Sequence, residues 1–164
     1  MKKRILPILT GLWPYLTFGI YLLACFGGSQ DFSVASIVML SVLCLSPALG
    51  LICLVLGLTR TGNSAEALTR QNLHIKLTHM PFYILIFLAF LVSPVALPVF
   101  FLFDAMALIV SSGFGIAAIL RARKEGLLTT VRTIGHIIAH CFFIADLISA
   151  FLVWKRLRTA SVTN

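Results

Sequence analysis

The sequence predicts an all-α, polytopic transmembrane helical bundle of about five spans with proline kinks. Three observations predict it. Sixty per cent of the 164 residues are hydrophobic and only 11% are charged, too little charge to cover a soluble surface. Mean hydropathy is +1.05. The apolar residues also gather into runs of 18 or more, the length at which a helix crosses a hydrocarbon core of about 30 Å. Residues 1–164 read as a single transmembrane domain, since no stretch is long and polar enough to fold apart in water.

Span 1 is expected over about 5–26, behind Lys2, Lys3 and Arg4, with Pro14 as a kink between Trp13 and Tyr15. A short turn over 27–33 carries Asp31. Span 2 follows over about 34–58, with Pro47 inside it. A polar cytoplasmic connection covers 59–72. In it Ser64 is placed to cap a helix, with Glu66 in the first turn, and Glu66–Arg70 is a favourable i, i+4 pair. This segment lies along the interface or feeds straight into span 3. Span 3 must begin before Pro81, because Pro81 to Val95 alone would reach only about 22 Å. It is placed over about 73–91, kinked near Pro81. Pro94 and Pro98 then make a tight hairpin into span 4, about 99–120. Span 5 is expected over about 134–154, which is apolar for about 20 residues.

The positive-inside bias puts the N-terminus in the cytoplasm of a plasma or inner membrane. Ten Lys and Arg then lie inside, and the loops 27–33 and 92–98 carry none. The tail with Lys155, Arg156 and Arg158 conflicts with five spans, because it would lie outside. An alternative in which 134–154 re-enters, or lies in the interface, keeps the tail inside. Leu22 to Cys25 fits a lipoprotein cleavage site poorly, so uncleaved insertion is expected.

The net charge of +8 flanks apolar spans, where it meets anionic headgroups rather than nucleic acid. Cys25, Cys44, Cys53 and Cys141 lie in apolar segments without a CxxC pair, and read as small core residues. No P-loop, GxGxxG or Ser-His-Asp constellation points to an enzyme, and no cofactor is expected.

The candidate functional residues are the ionisable groups within the apolar runs. Asp104 lies about 9 Å below the outer end of span 4, and Asp146 about 12 Å below the outer end of span 5. Two acids at one depth suit an ion or proton site. His136 and His140 share a helical face at i, i+4 and make an inner relay. They lack a third ligand, so no metal site is expected. Asn72, Lys76 and His79, at i, i+4 and i+7, share another face and are read as interfacial contacts to lipid or a partner. Ala107, Ser111 and Gly115 form a small-residue stripe for close helix packing.

The run Asn72 to Ile84, and the run Ala145 to Ala150 leading to Lys155-Arg156, are similar to small multi-pass membrane proteins of Gram-positive bacteria. That resemblance implies no activity. It adds weight to Asn72, Lys76, His79, Pro81 and Asp146. The expected partners are the bilayer and either another membrane protein or further copies of the chain. The expected function is an accessory or regulatory subunit of a larger membrane assembly such as a transporter. The alternative is a small proton- or cation-coupled transporter or channel built on Asp104, Asp146, His136 and His140.

Overall fold

The computed structural model describes residues 5–26, 32–59, 64–93, 97–140 and 142–162, all as helices and their short connections. Lys2, Lys3, Arg4, Asp31, Arg60, Pro94 and Cys141 lie outside the described residues. Among the described residues there are six helices and no strand: α1 (Ile5–Phe26), α2 (Phe32–Thr59), α3 (Ala65–Val92), α4 (Leu97–Lys124), α5 (Thr130–Ala139) and α6 (Phe143–Val162). The first four are long and apolar enough to cross a membrane, and the protein is a small membrane protein.

Contacts give an up-down-up-down order for α1–α4. At one end Phe18 of α1 packs edge-on against Phe82 of α3 and Phe103 of α4, with centroids 5.8 and 5.3 Å apart. In the middle Leu49, Cys53, Leu68, Ile75, Val110 and Phe114 close the core. At the other end Ala65, Ile119, Ala122 and Leu128 pack with Val153 and Leu157 of α6. Many large apolar side chains point outward instead, Leu23, Ile37, Phe87 and Phe101 among them. Polar groups inside and Leu or Phe outside is the arrangement a lipid solvent selects.

Two expectations about elements change. Within the connection expected over 59–72, residues 65–72 are the first two turns of α3. Ser64 caps it by accepting from Ala67 N at 3.2 Å. Glu125 Oε1 accepts from Ala65 N, also at 3.2 Å. With its first N–H groups satisfied, α3 runs unbroken through Pro81 to Val92. Pro14 and Pro47 likewise sit inside continuous helices, and Pro98 is the second residue of α4.

The larger correction concerns 134–154. It is not one helix. α5 ends at Ala139 with His140 as its C-cap, and α6 starts at Phe143. α4 stops at Lys124 in a turn where Gly126 takes φ +73. Leu127 N donates to Ala122 O and Gly126 N to Arg123 O, the paired bonds that end a helix at a left-handed glycine. α5 then runs back along α4. After the break α6 returns along α3, so that its Val153 and Leu157 sit beside Ala65 and Ala122. Both feet of the α5–α6 hairpin lie at one end of the bundle, and its tip lies in the middle.

Candidate functional site at the hairpin tip

The hairpin tip reaches Ser111 and Ser112, about 18 Å from the end of α4 at 1.5 Å per residue. Ser111 is at the midpoint of α4, and Lys76 is near the midpoint of α3. Three ionisable groups meet there. Lys76 Nζ donates to Asp146 Oδ2, and His140 Nδ1 donates to Asp146 Oδ1. Lys76 Nζ also lies 3.4 Å from Ser111 Oγ. All three are buried, with relative exposures of 4% for Lys76, 3% for Asp146 and 3% for His140. A buried charge must be paired. One carboxylate against one ammonium, with a neutral imidazole donating to the second carboxylate oxygen, leaves the cluster without net charge.

The sequence sets each position. Asp146 falls in the first turn of α6, where the helix dipole favours an anion. His140 ends α5, and its freed carbonyl accepts from Ser112 Oγ at 3.3 Å. Gly115 makes room for the imidazole. A Cβ there would lie 2.6 Å from His140 Cε1 and 3.0 Å from Asn72 Nδ2. One turn back along α5, His136 Nδ1 pairs with Ser149 Oγ at 2.8 Å. Irregular backbone at this depth is tolerated because it is enclosed by protein and bonded.

Of the four proposed pathway residues, Asp146 and His140 touch, and His136 adjoins them through the hairpin. Asp104 is not with them. It is half-buried about 10 Å further along α4, where it lines an open cleft of about 250 Å³ with Tyr83, Phe87, Phe90, Leu97 and Phe101. The two acids therefore form no shared carboxylate site. Tyr83 is the link between the levels, since it hydrogen-bonds Ser111 and faces Asp104.

Asn72, Lys76 and His79 do share a face of α3, but that face points inward. Their exposures are 1%, 4% and 0%, so the expected lipid or partner contact is replaced by contacts within the bundle. His79 has a specific task. Pro14 lacks an N–H, which frees the carbonyl four residues before it. That carbonyl belongs to Thr10, and His79 Nε2 donates to it at 3.0 Å. The stripe Ala107, Ser111 and Gly115 is buried and faces α3 and the hairpin. Sequence reasoning missed Lys76 as the partner of Asp146, and Glu125 as a bonding residue. Lys76 carried a signal, because it is a cation far inside a helix that has to be buried.

Among the described residues, two buried acceptors have no partner, Asn72 Oδ1 and His79 Nδ1. Each such group costs about 1–3 kcal/mol. Among the described residues no three His, Cys, Asp or Glu side chains converge on one point.

Residues 15–159 match the model of a family of unknown function, DUF6652. The chain belongs to that family. The match to DUF6652 takes in the whole cluster, from Asn72 to Ser149, and both arms of the hairpin. No curated protein and no solved structure matches the chain.

Proposed function

We propose that the protein is a small proton-coupled transporter of the plasma membrane. Four helices cross it, the N-terminus is cytoplasmic, and the α5–α6 hairpin re-enters from the cytoplasmic side. The observation that carries this reading is the Lys76–Asp146–His140 cluster at a helix break, half-way along the bundle. Ionisable groups at that depth are costly and mark ion or proton paths, and transporters place such sites where a discontinuous helix stops near the midplane. Asp146 carries the exchangeable proton, and His140 and His136 lead it along the hairpin toward the cytoplasm. Tyr83 and Asp104 lead from Ser111 to the opposite face.

Re-entry also removes the conflict over the tail. With both hairpin feet inside, Lys155, Arg156 and Arg158 fall on the cytoplasmic side with the other Lys and Arg that flank the spans, as the positive-inside rule favours.

The test is proton flux in liposomes, read with an entrapped pH dye under an imposed potential. The wild type is expected to move protons, and Asp146→Asn to insert normally but move none. Equal flux in the two would sink the reading. The accessory-subunit reading rests on small size alone. A silent wild type that co-purifies in fixed ratio with another membrane protein would restore it.

A further inference from the structure

The cleft beside Asp104 lies between α3 and α4, at the end of the bundle opposite the hairpin feet. It runs from Leu97, where α4 begins, inward to Asp104, about 10 Å at 1.5 Å per residue. Five of its eight lining side chains are rings, Tyr83, Phe87, Phe90, Phe100 and Phe101, and Asp104 supplies the one charge. Among the described residues the Asp104 carboxylate has neither a hydrogen bond nor an ion pair. The Tyr83 hydroxyl is bonded to Ser111 instead, and the Lys76 ammonium is held by Asp146. An acid that far into an apolar span is costly unless something neutralises it.

We propose that the Asp104 cleft binds a small organic cation, a quaternary ammonium attached to a single aromatic ring. Three points select this ligand class. One carboxylate calls for one positive charge, so binding leaves the cleft neutral. A wall of rings attracts a cation through the ring faces, and an ammonium shielded by alkyl groups suits it better than a strongly hydrated ion. The volume of about 250 Å³ is below the ~300–1,000 Å³ of pockets for drug-sized ligands, which limits the ligand to one ring and its charged group. A phospholipid headgroup fits less well, because its choline arrives with a phosphate and no cation lines the cleft to receive it. Phe87 and Phe101 are exposed, which leaves the cleft open along its side. The site goes beyond the proton-transport reading and does not depend on it.

The experiment is equilibrium binding of radiolabelled benzyltrimethylammonium to the full-length protein in phosphatidylcholine nanodiscs, with empty nanodiscs as the blank. The expected wild-type result is saturable binding at one site per chain. Asp104→Asn should weaken it at least about ten-fold, because it removes the counter-charge. Phe87→Leu with Phe101→Leu keeps the cleft apolar but takes away two rings, and should weaken it at least about five-fold. Neopentylbenzene has the same shape with carbon in place of nitrogen, and should not compete. That arm uses the wild type alone, so it gives the answer even if the variants do not fold. Binding that does not saturate, that is equal in Asp104→Asn, or that neopentylbenzene displaces overturns the site. Binding that appears only when phosphatidylglycerol replaces phosphatidylcholine would give the cleft to the choline headgroup and overturn it as well. Asp146-dependent proton flux without saturable binding would leave the transport reading standing and remove this one. Asp104-dependent binding in a protein that moves no protons would do the reverse.

Discussion

α4 presents small residues on two faces, and the two faces do different things. Toward α2 the contact is backbone on backbone. A Cβ on Gly113 would lie 2.2 Å from Gly50 O, one on Gly57 would lie 2.6 Å from Ala117 Cβ, and one on Gly50 would lie 2.9 Å from Ile109 O. Toward α3 and the hairpin, small size makes room for polar side chains. Gly115 admits the His140 ring and the Asn72 amide, and Ser111 meets Lys76. The first face fastens two helices through close packing, which is the main attraction available between helices in lipid. The second holds a buried charged cluster. Small residues at a four-residue spacing therefore do not by themselves say whether a seam is a fastening or a working site. What lies across from them decides.

The largest effect separating the two faces should come from Asp146→Asn. It leaves the Lys76 ammonium buried without a counter-charge, and breaking such a pair costs about 3–5 kcal/mol. Replacing both partners with apolar residues, Lys76→Met with Asp146→Leu, should return most of that loss, because the desolvation cost goes with the charges. Reversible unfolding of Lys76→Met, Asp146→Leu and the double variant measures the coupling directly. The double variant is expected to be stable and without flux. A double variant as unstable as either single one would mean that the cluster is held by packing rather than by its charges.

Gly113→Ala is expected to come next. The new methyl meets a backbone carbonyl, which can give way only if α2 and α4 separate. Overpacking of this kind costs about 1–3 kcal/mol. Gly115→Ala should cost less, on the order of 1 kcal/mol, since it meets the ends of side chains that can turn aside. The order reverses for activity. Per folded molecule, Gly113→Ala should retain flux, while Gly115→Ala, by pushing His140 away from its seat, should lose most of it. Tm and flux measured on the same preparations test the distinction. Parallel losses in the two variants would erase the functional difference between the faces.

The sequence made the four long helices legible and the working face only in pieces, and it did not single out the fastening face: the stripe read as close packing, Ala107, Ser111 and Gly115, lies toward α3 and the hairpin, with Gly115 against His140 and Asn72. α1 to α4 follow from apolar runs longer than a bilayer is thick. The start of α3 was signalled by Ser64 and Glu66, yet Arg70, Asn72, His74 and Lys76 lower the local hydropathy and pushed the expected boundary to residue 73. The break at 140–142 has no such mark. His140 to Phe142 contains neither Gly nor Pro, and the apolar run passes straight through. Only the misplaced charge of Lys155, Arg156 and Arg158 hinted that the segment turns back. Lys76 and Asp146 are 70 residues apart, and spacing on one helix cannot reveal a pair made between two. Burial supplies the missing rule. An acid in mid-span needs a cation, and Lys76 is the lysine placed deep in a long helix.

Asp104→Asn should have the smallest effect on folding and sharpens the comparison most at its edge. Asp104 is half-buried beside an open cleft, and a substitution of equal size there should change stability by no more than about 0.5 kcal/mol. Its effect on flux is a separate matter. Tyr83 joins the level of Asp104 to Ser111, and Ser111 touches Lys76. If protons reach the cluster along this line, removing the carboxylate takes away the group at its mouth. Flux should then fall several-fold while Asp146-dependent behaviour is retained. Tyr83→Phe should fall with it, and the pair should be no worse than the poorer single variant, because both interrupt one route. Additive losses would instead describe two independent entrances. Unchanged flux in Asp104→Asn would confine the working face to Lys76, Asp146 and the hairpin, with Asp104 a polar residue at the bundle's rim.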